Sequence, residues 1–403
     1  MSQAKSRIFT KEFFVLCLAA FCVSYGAFSL NASVPLYVKT IGGSTNITGL
    51  LNTAFTVCAC VFRIGGGYLT DRFGRKPIIV IGGIVLAVTT VLYSWITNLA
   101  LLVIVRGLQG AGFAMMSIGC ATALVDVLPA ERFGEGLGYY SLSSTVSQSI
   151  ASALAITLIT AGGYFTTFGS TAAIAAIGVV ITLLFCTYER TPAYQAERKA
   201  VREAKAAEGS KTSLISEIFE KQAIMPAVVM TMYAIGVAIS YVYMTLYAVE
   251  NNVPHPGLYF TFSSIFAVFS RIIGGKLADR DNSLPGLLFG FLMCIASFVI
   301  LFIPDTSGVW YCVSGAAFGV AGGFISPILN RIAVHGVSSD RRGAASATFS
   351  MSNDIGTGVG GALWGMTIAS WGYTVTFTTV IGWLIFSTVF MVGYILIRQK
   401  HRR

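Results

Sequence analysis

The chain has 403 residues, 55% of them hydrophobic and only 11% charged, with a mean hydropathy of +0.74. Soluble domains carry roughly 25% charged residues, so composition excludes that class and makes this a polytopic membrane protein. The formal net charge of +10 would point to nucleic acid in a soluble chain, but here Lys and Arg gather in a few hydrophilic breaks, as membrane topology places them, and no nucleic-acid partner is expected.

In chain order, Lys5, Arg7 and Lys11 precede an apolar run over residues 13–30 that is longer than a signal-peptide core and lacks a small-x-small cleavage site. Leu18-Ala19-Ala20 is followed by Phe21 rather than Cys, which argues against a lipoprotein site, and the run reads as an uncleaved first helix. A crossing needs about 20 mostly apolar residues. On that rule helices are expected over 12–32, 47–69, 77–96, 100–125, 136–159, 167–187, 222–248, 257–278, 284–303, 308–334, 344–369 and 373–397. The fold class is therefore all-α integral membrane, twelve helices in two six-helix pseudo-repeats, with bundles over 1–187 and 222–403 and a linker over 188–221.

The repeat is visible in one stretch. Residues 63–77 read RIGGGYLTDRFGRKP, and 208 residues further on RIIGGKLADRDN starts at Arg271, matching at Arg, Ile, the Gly pair, Leu and Asp-Arg. A repeat of half the chain length means two like halves. Weaker likeness aligns Arg106-Gly107-Leu108-Gln109-Gly110 with Ser314-Gly315-Ala316-Ala317-Phe318.

The breaks holding Arg72, Arg75 and Lys76, Arg132, residues 190–221, Arg280, Arg341 and Arg342, the tail 398–403 and the N-terminus fall on one side, and only Lys39 on the other. Excess Lys and Arg marks the cytoplasmic face, so a multi-pass protein of the cell membrane with both termini and the linker inside is expected. The linker alternates Glu with Lys and Arg around Ala and reads as a solvated helix. Gly209-Ser210-Lys211-Thr212 lacks the Gly before Lys that a phosphate-binding loop requires, so ATP does not supply the energy. The eight Cys lie in apolar segments without metal-ligand spacing, and neither a metal nor another cofactor is expected. Two parallel repeats without a catalytic constellation point to alternating access around a site between them.

Residues 67–77, Gly-Tyr-Leu-Thr-Asp-Arg-Phe-Gly-Arg-Lys-Pro, resemble the loop 2–3 signature of the major facilitator superfamily, and Arg106 to Gly112 resembles the fourth-helix motif of its drug/proton antiporter branch. The resemblance covers essentially the whole chain and implies a monomeric secondary transporter in the lipid bilayer, with protons and a small organic solute as its partners. Proton-coupled efflux is the leading direction, with uptake by symport or facilitated diffusion as the alternative. Helix five departs from the branch: Ser147 to Ala153 lacks the Gly-Pro expected there.

Several residues carry specific expectations. Asp71 is placed to cap the N-terminus of helix eleven near Gly343 and Ala344, a positive dipole end. It would form a gate with Arg72 and Arg75, mirrored by Asp279 and Arg280. Topology and fold stability are the alternative role for these charges. Arg63 and Arg271 lie about 12 Å up their helices at 1.5 Å per residue, inside the bilayer. They would either bind an anionic substrate or pair with carbonyls, Asp126 or Asp354. Asp354, ten residues or about 15 Å into helix eleven, is a proton carrier or a structural partner of Arg63 or Arg271. Arg106 is assigned to coupling with it. By the resemblance, helices one, four, seven and ten line the cavity with Tyr25, Asn31, Tyr233, Tyr241 and Tyr243, while Gln148 and Asn353 contribute from helices five and eleven.

Overall fold

The computed structural model describes residues 8–129, 132–187, 189, 191, 194–195, 220–278, 283–305, 307–334, 337 and 342–400. Every regular element among them is helical. The first set comprises α1 (Lys11–Thr40), α2 (Thr45–Phe73), α3 (Arg75–Leu92), α4 (Leu99–Val127) and α5 (Phe133–Phe185). The second comprises α6 (Ile224–Val242), α7 (Met244–Glu250), α8 (Leu258–Ala278), α9 (Leu284–Ile300), α10 (Val309–Val334) and α11 (Arg342–Lys400). Helices suit such apolar segments because each satisfies its own backbone polar groups where no water is available.

Among the described residues, eight segments are long and apolar enough to cross a membrane, and two of these, at 47 and 50 residues, are far longer than one crossing. Each long run breaks at a glycine with positive φ: Gly163 (φ 72°, ψ −174°) in α5 and Gly372 (φ 75°, ψ 179°) in α11. Only glycine enters that backbone region without strain. The same hydroxyl follows each break, Thr167 donating to the Gly163 carbonyl at 3.1 Å and Thr376 to that of Gly372 at 2.7 Å. The expected loops before residues 167 and 373 are thus single-residue corners, and the 209-residue spacing of the two corners repeats the arginine motif's period to within one position. The apolar parts of α8 and α9, Leu258–Gly274 and Leu284–Ile300, are shorter than the other spans.

Among the boundaries that differ from expectation, two change what is buried or where a helix breaks. α1 runs on to Thr40 with Pro35 inside it. Polar residues around the expected end are buried: Ser33 donates to the Ser29 carbonyl at 2.9 Å, and the Ser29 and Thr171 hydroxyls share a hydrogen bond at 2.7 Å. The expected seventh helix breaks at Tyr243 (φ −116°, ψ −10°) into α6 and α7.

Small residues set the helix crossings. A Cβ at Gly110 of α4 would collide with the Phe55 carbonyl of α2, and one at Gly319 of α10 with the Ser263 carbonyl of α8. The crossing is the same in both sets, so Gly110 matches Gly319 rather than Phe318. Close backbone approach of this kind is how helices associate where no water drives them together.

The sets meet where α2 lies against α11 and α5 against α8. Phe9 against Tyr139 (centroids 5.3 Å apart) and the Lys11 ammonium over the Phe185 ring (5.1 Å) gather the start of α1 and both ends of α5 on one face, the terminal face. Toward the far face the seam is tight. Asn52 Nδ2 donates to the Thr357 carbonyl and Thr53 Oγ1 to that of Gly358, each at 3.0 Å, and Lys39 Nζ meets Glu250 Oε1 at 2.6 Å. A Cβ at Gly49 would stand 2.8 Å from the Gly361 carbonyl oxygen.

Candidate functional site between the two helix sets

Two arginines cross the seam on the terminal side of this closed region. Arg63 of α2 places Nε 2.9 Å from Asp354 Oδ2 of α11, with the side chains 19% and 17% exposed. Neither atom has an aligned hydrogen bond, so the contact is ionic in character. Arg271 of α8 donates from Nη1 to Thr145 Oγ1 of α5 at 2.7 Å. The arginines are 208 residues apart, and Asp354 follows Thr145 by 209, the spacing of the two glycine corners. One inter-set contact is therefore built twice, with a carboxylate in one copy and a hydroxyl in the other.

Of the pairings open in the sequence, Arg63 with Asp354 is the one formed. Asp126, the other partner considered for the intramembrane arginines, instead holds Arg75 (Nε to Oδ2, 3.0 Å), because it lies at the end of α4 beside the start of α3. Arg75 thus ties together parts of the first set, and this contact does not reach across the seam as a gate residue's would. Asp71 and Arg72 lie in the α2 backbone, but their side chains, Asp279, Arg280 and the side chains of 343–344 lie outside the described residues.

Arg106 of α4 is 3% exposed and held by neutral acceptors. It donates to Gln109 Oε1 at 2.7 Å and to Asn31 Oδ1 at 2.6 Å, and its guanidinium stands 4.6 Å from the Phe55 ring centroid. Gln109 Nε2 in turn donates to Thr90 Oγ1 at 3.2 Å. The network locks α1, α3 and α4 together and leaves a cavity with room for about one water molecule beside Asn31, Thr48, Asn52 and Val242. Arg106 and Asp354 make no described contact, so the structure gives the expected coupling partnership no direct link.

The other sequence-selected residues divide. Tyr25 is buried, stacked on Phe21 (6.3 Å), with no hydrogen-bond partner for its hydroxyl among the described residues. Tyr233 and Tyr241 pack edge-on against Phe291 (5.7 Å) and Phe318 (5.3 Å). Gln148 and Asn353 are half-buried. Tyr243 differs from expectation: its hydroxyl donates to the Gly361 carbonyl at 2.7 Å, which makes it part of the closed seam. Its position at the α6/α7 break directs it there.

Sequence reasoning missed Thr145 and Glu189. Glu189 accepts from the Arg75 and Lys76 backbone N–H groups at 2.5 and 3.3 Å, a carboxylate on the positive end of α3. Lys76 Nζ reciprocates, donating to the carbonyls of Leu183 (2.7 Å) and Cys186 (2.9 Å) at the end of α5. Tyr194 donates to Asp126 Oδ2 at 3.0 Å, and burial together with that carboxylate pushes its hydroxyl well above the usual tyrosine range. The 68 to 114 residues separating these partners hide them from any local motif. The basic half of the 63–77 stretch therefore clamps three helices of one set to each other. The described residues hold no group of His, Cys, Asp or Glu suited to a metal.

Two sets of helices joined along mirrored seams, with charged side chains crossing them inside the membrane, define a multi-pass transporter. The family model of the Major Facilitator Superfamily matches residues 16–356 and 252–403, and the chain belongs to that family. It is 25% identical to the staphylopine export protein of Staphylococcus aureus (strain Mu50), over 83% of this chain and 84% of that one. It is also 25% identical to the quinolone resistance protein NorA of Staphylococcus aureus (strain MRSA252), over 97% of each. Among solved structures it resembles a POT family transporter in complex with 5-aminolevulinic acid (TM-score 0.77, 13% identity, 95% of each chain). The nucleoside transporter NupG is similar too (TM-score 0.74, 14% identity, 96% of this chain and 99% of that one), and at these identities both share the fold alone.

Proposed function

We propose that the chain is a secondary active transporter that exports a small organic solute by alternating access, driven by proton entry through Asp354. The observation that carries this reading is the Arg63–Asp354 contact, a titratable group tying α2 to α11 inside the membrane. With Asp354 ionised the pair joins the helix sets. Protonation removes one charge and leaves Arg63 without its counter-ion, and breaking a buried pair costs about 3–5 kcal/mol. A difference of that size moves a two-state equilibrium by orders of magnitude. The far-face seam, from Gly49 to Tyr243 and Gly361, closes in one state and opens in the other.

In this reading 1–187 and 222–403 are six-helix bundles joined by the 188–221 linker. The glycine corners turn α5 and α11 into two crossings each, α8 and α9 add one apiece, and the crossings number twelve. The basic breaks support a cytoplasmic terminal face in a cell-membrane protein, and a site lying within one chain supports a working monomer. The export and resistance named for the two Staphylococcus aureus relatives support the outward direction. Proton-coupled uptake is the second reading, favoured by the missing Gly-Pro in α5.

A growth screen of a deletion strain against toxic compounds and carbon sources supplies the substrate. Proteoliposomes loaded with a pH dye then decide the coupling. Substrate-dependent proton movement opposite to the substrate supports export, movement in the same direction supports symport, and no proton movement during transport contradicts coupling.

A further inference from the structure

The charges inside the helices do not balance. Three arginines stand more than one full turn from either end of their helices, Arg63, Arg106 and Arg271, with Arg331 in the last turn of α10, against one such carboxylate, Asp354. Every other acid within the described helices lies in the first or last three residues of its helix. Asp354 is taken by Arg63. Arg106 is held by neutral groups, Asn31 and Gln109 accepting from its two terminal nitrogens and the Phe55 ring lying against the guanidinium. Arg271 has neither solution: its described hydrogen bond goes to the Thr145 hydroxyl, which occupies one of the five N–H donors of a guanidinium. The side chain is only partly buried.

An intramembrane cation without a counter-ion is costly, and the protein retains it. The repeat shows what is missing. Where Arg63 meets Asp354, its mate Arg271 meets Thr145 at the matching position, so among the described residues the second copy of the ion pair has no anion. We propose that the transported solute supplies it: Arg271 binds an oxyanion of the substrate, a carboxylate or phosphate group, in the place that Asp354 fills for Arg63. The planar guanidinium fork suits a bidentate carboxylate or phosphate. Substrate then bridges α8 to α5 as the ion pair bridges α2 to α11, so one seam responds to the proton and the other to the solute.

This inference rests on the transporter reading, and its test is an equilibrium measurement that proton coupling does not enter. The full chain in phosphatidylcholine nanodiscs is melted at constant ionic strength with succinate, benzoate, inorganic phosphate or tetraphenylphosphonium, against chloride. At least one oxyanion should raise the melting temperature with a saturable dependence that tetraphenylphosphonium lacks, and comparing carboxylates with phosphate identifies which oxyanion is taken. Arg271→Gln should weaken that binding at least tenfold, and Arg271→Lys should retain part of it. Thr145→Asp, which places a carboxylate beside Arg271 as in the first copy, should weaken it equally while leaving the unliganded protein at least as stable. Failure of every oxyanion to stabilise beyond chloride overturns the proposal, as does unchanged affinity in Arg271→Gln. Should Arg271→Gln not fold, Thr145→Asp decides alone, and unaltered affinity there overturns it.

Discussion

Arg63 of α2 and Asp354 of α11 stand 2.9 Å apart across the seam between the helix sets, each side chain less than one-fifth exposed. Removing one partner strands the other, so Arg63→Gln should destabilise the protein by about 3 kcal/mol, the low end for a buried pair because some water reaches this one. The double variant Arg63→Gln/Asp354→Asn should recover most of that loss. Denaturation in detergent of the two singles and the double measures the coupling, and additive losses would show that the pair contributes nothing beyond its separate side chains.

At the far face, Gly49 allows α2 to touch the α11 backbone: a Cβ there would stand 2.8 Å from the Gly361 carbonyl oxygen. Gly49→Val should wedge this seam apart. A cysteine introduced at Thr45 should then react faster with a membrane-impermeant thiol reagent applied to the far face, and an unchanged rate would mean that the seam is not the gate. Tyr243→Phe removes the hydrogen bond to the Gly361 carbonyl, a contact within the second set that steadies the α11 backbone facing Gly49; it should cost about 1 kcal/mol of stability while changing the thiol-reaction rate far less than Gly49→Val does.

Glu189 serves the fold alone in this account. Glu189→Gln keeps its shape and removes the charge at the start of α3, which should cost about 1 kcal/mol of stability. Substrate affinity should stay at the wild-type value. A loss of affinity with an unchanged melting temperature would place Glu189 in the transport cycle instead.

Asp305, in the loop before α10, lies outside the membrane segments. Slight desolvation opposes ionisation, but the N–H groups of Tyr311 (2.9 Å), Gly308 (2.8 Å) and Ser307 (3.1 Å) and the Ser307 hydroxyl (2.9 Å) outweigh it and hold the carboxyl below its ordinary 3.8. A carboxylate depressed in the folded state stabilises above its unfolded value, and that contribution fades as pH falls through the folded value. Asp305→Asn should therefore be less stable than wild type at pH 7 and approach it below about pH 3.8. Parallel pH–stability curves for the two proteins would refute the assignment.

The fold was legible because it rests on signals that act locally. Apolar runs specify helices, and the Arg-Ile-x-Gly-Gly repeat at 63 and 271 relates the halves without any knowledge of packing. Asp354 stood out as the interior acid for the same reason. Partner choice did not, since Arg63 and Asp354 lie far apart in sequence and only the α2/α11 seam brings them together. Thr145 carries no distinguishing feature until the glycine corners at 163 and 372 reset the repeat by one residue and align it with Asp354. The end of the first helix was missed because the length rule for a crossing stops the helix near residue 32, whereas buried serine and threonine hydroxyls carry it on to Thr40. The Arg75 and Lys76 contacts, which look like a loop signature in sequence, proved to be helix-end chemistry within one set.

The role of Asp354 is decided by separating substrate exchange from proton-driven accumulation in Asp354→Asn. In proteoliposomes with an imposed pH gradient, accumulation should fall at least tenfold, because no group remains to carry the proton. Counterflow of labelled against unlabelled substrate in the same vesicles needs only the conformational cycle, and should remain measurable, slowed by the bias toward the state in which the pair is broken. Full gradient-driven accumulation by Asp354→Asn would contradict the account, and the proton would have to enter by another residue.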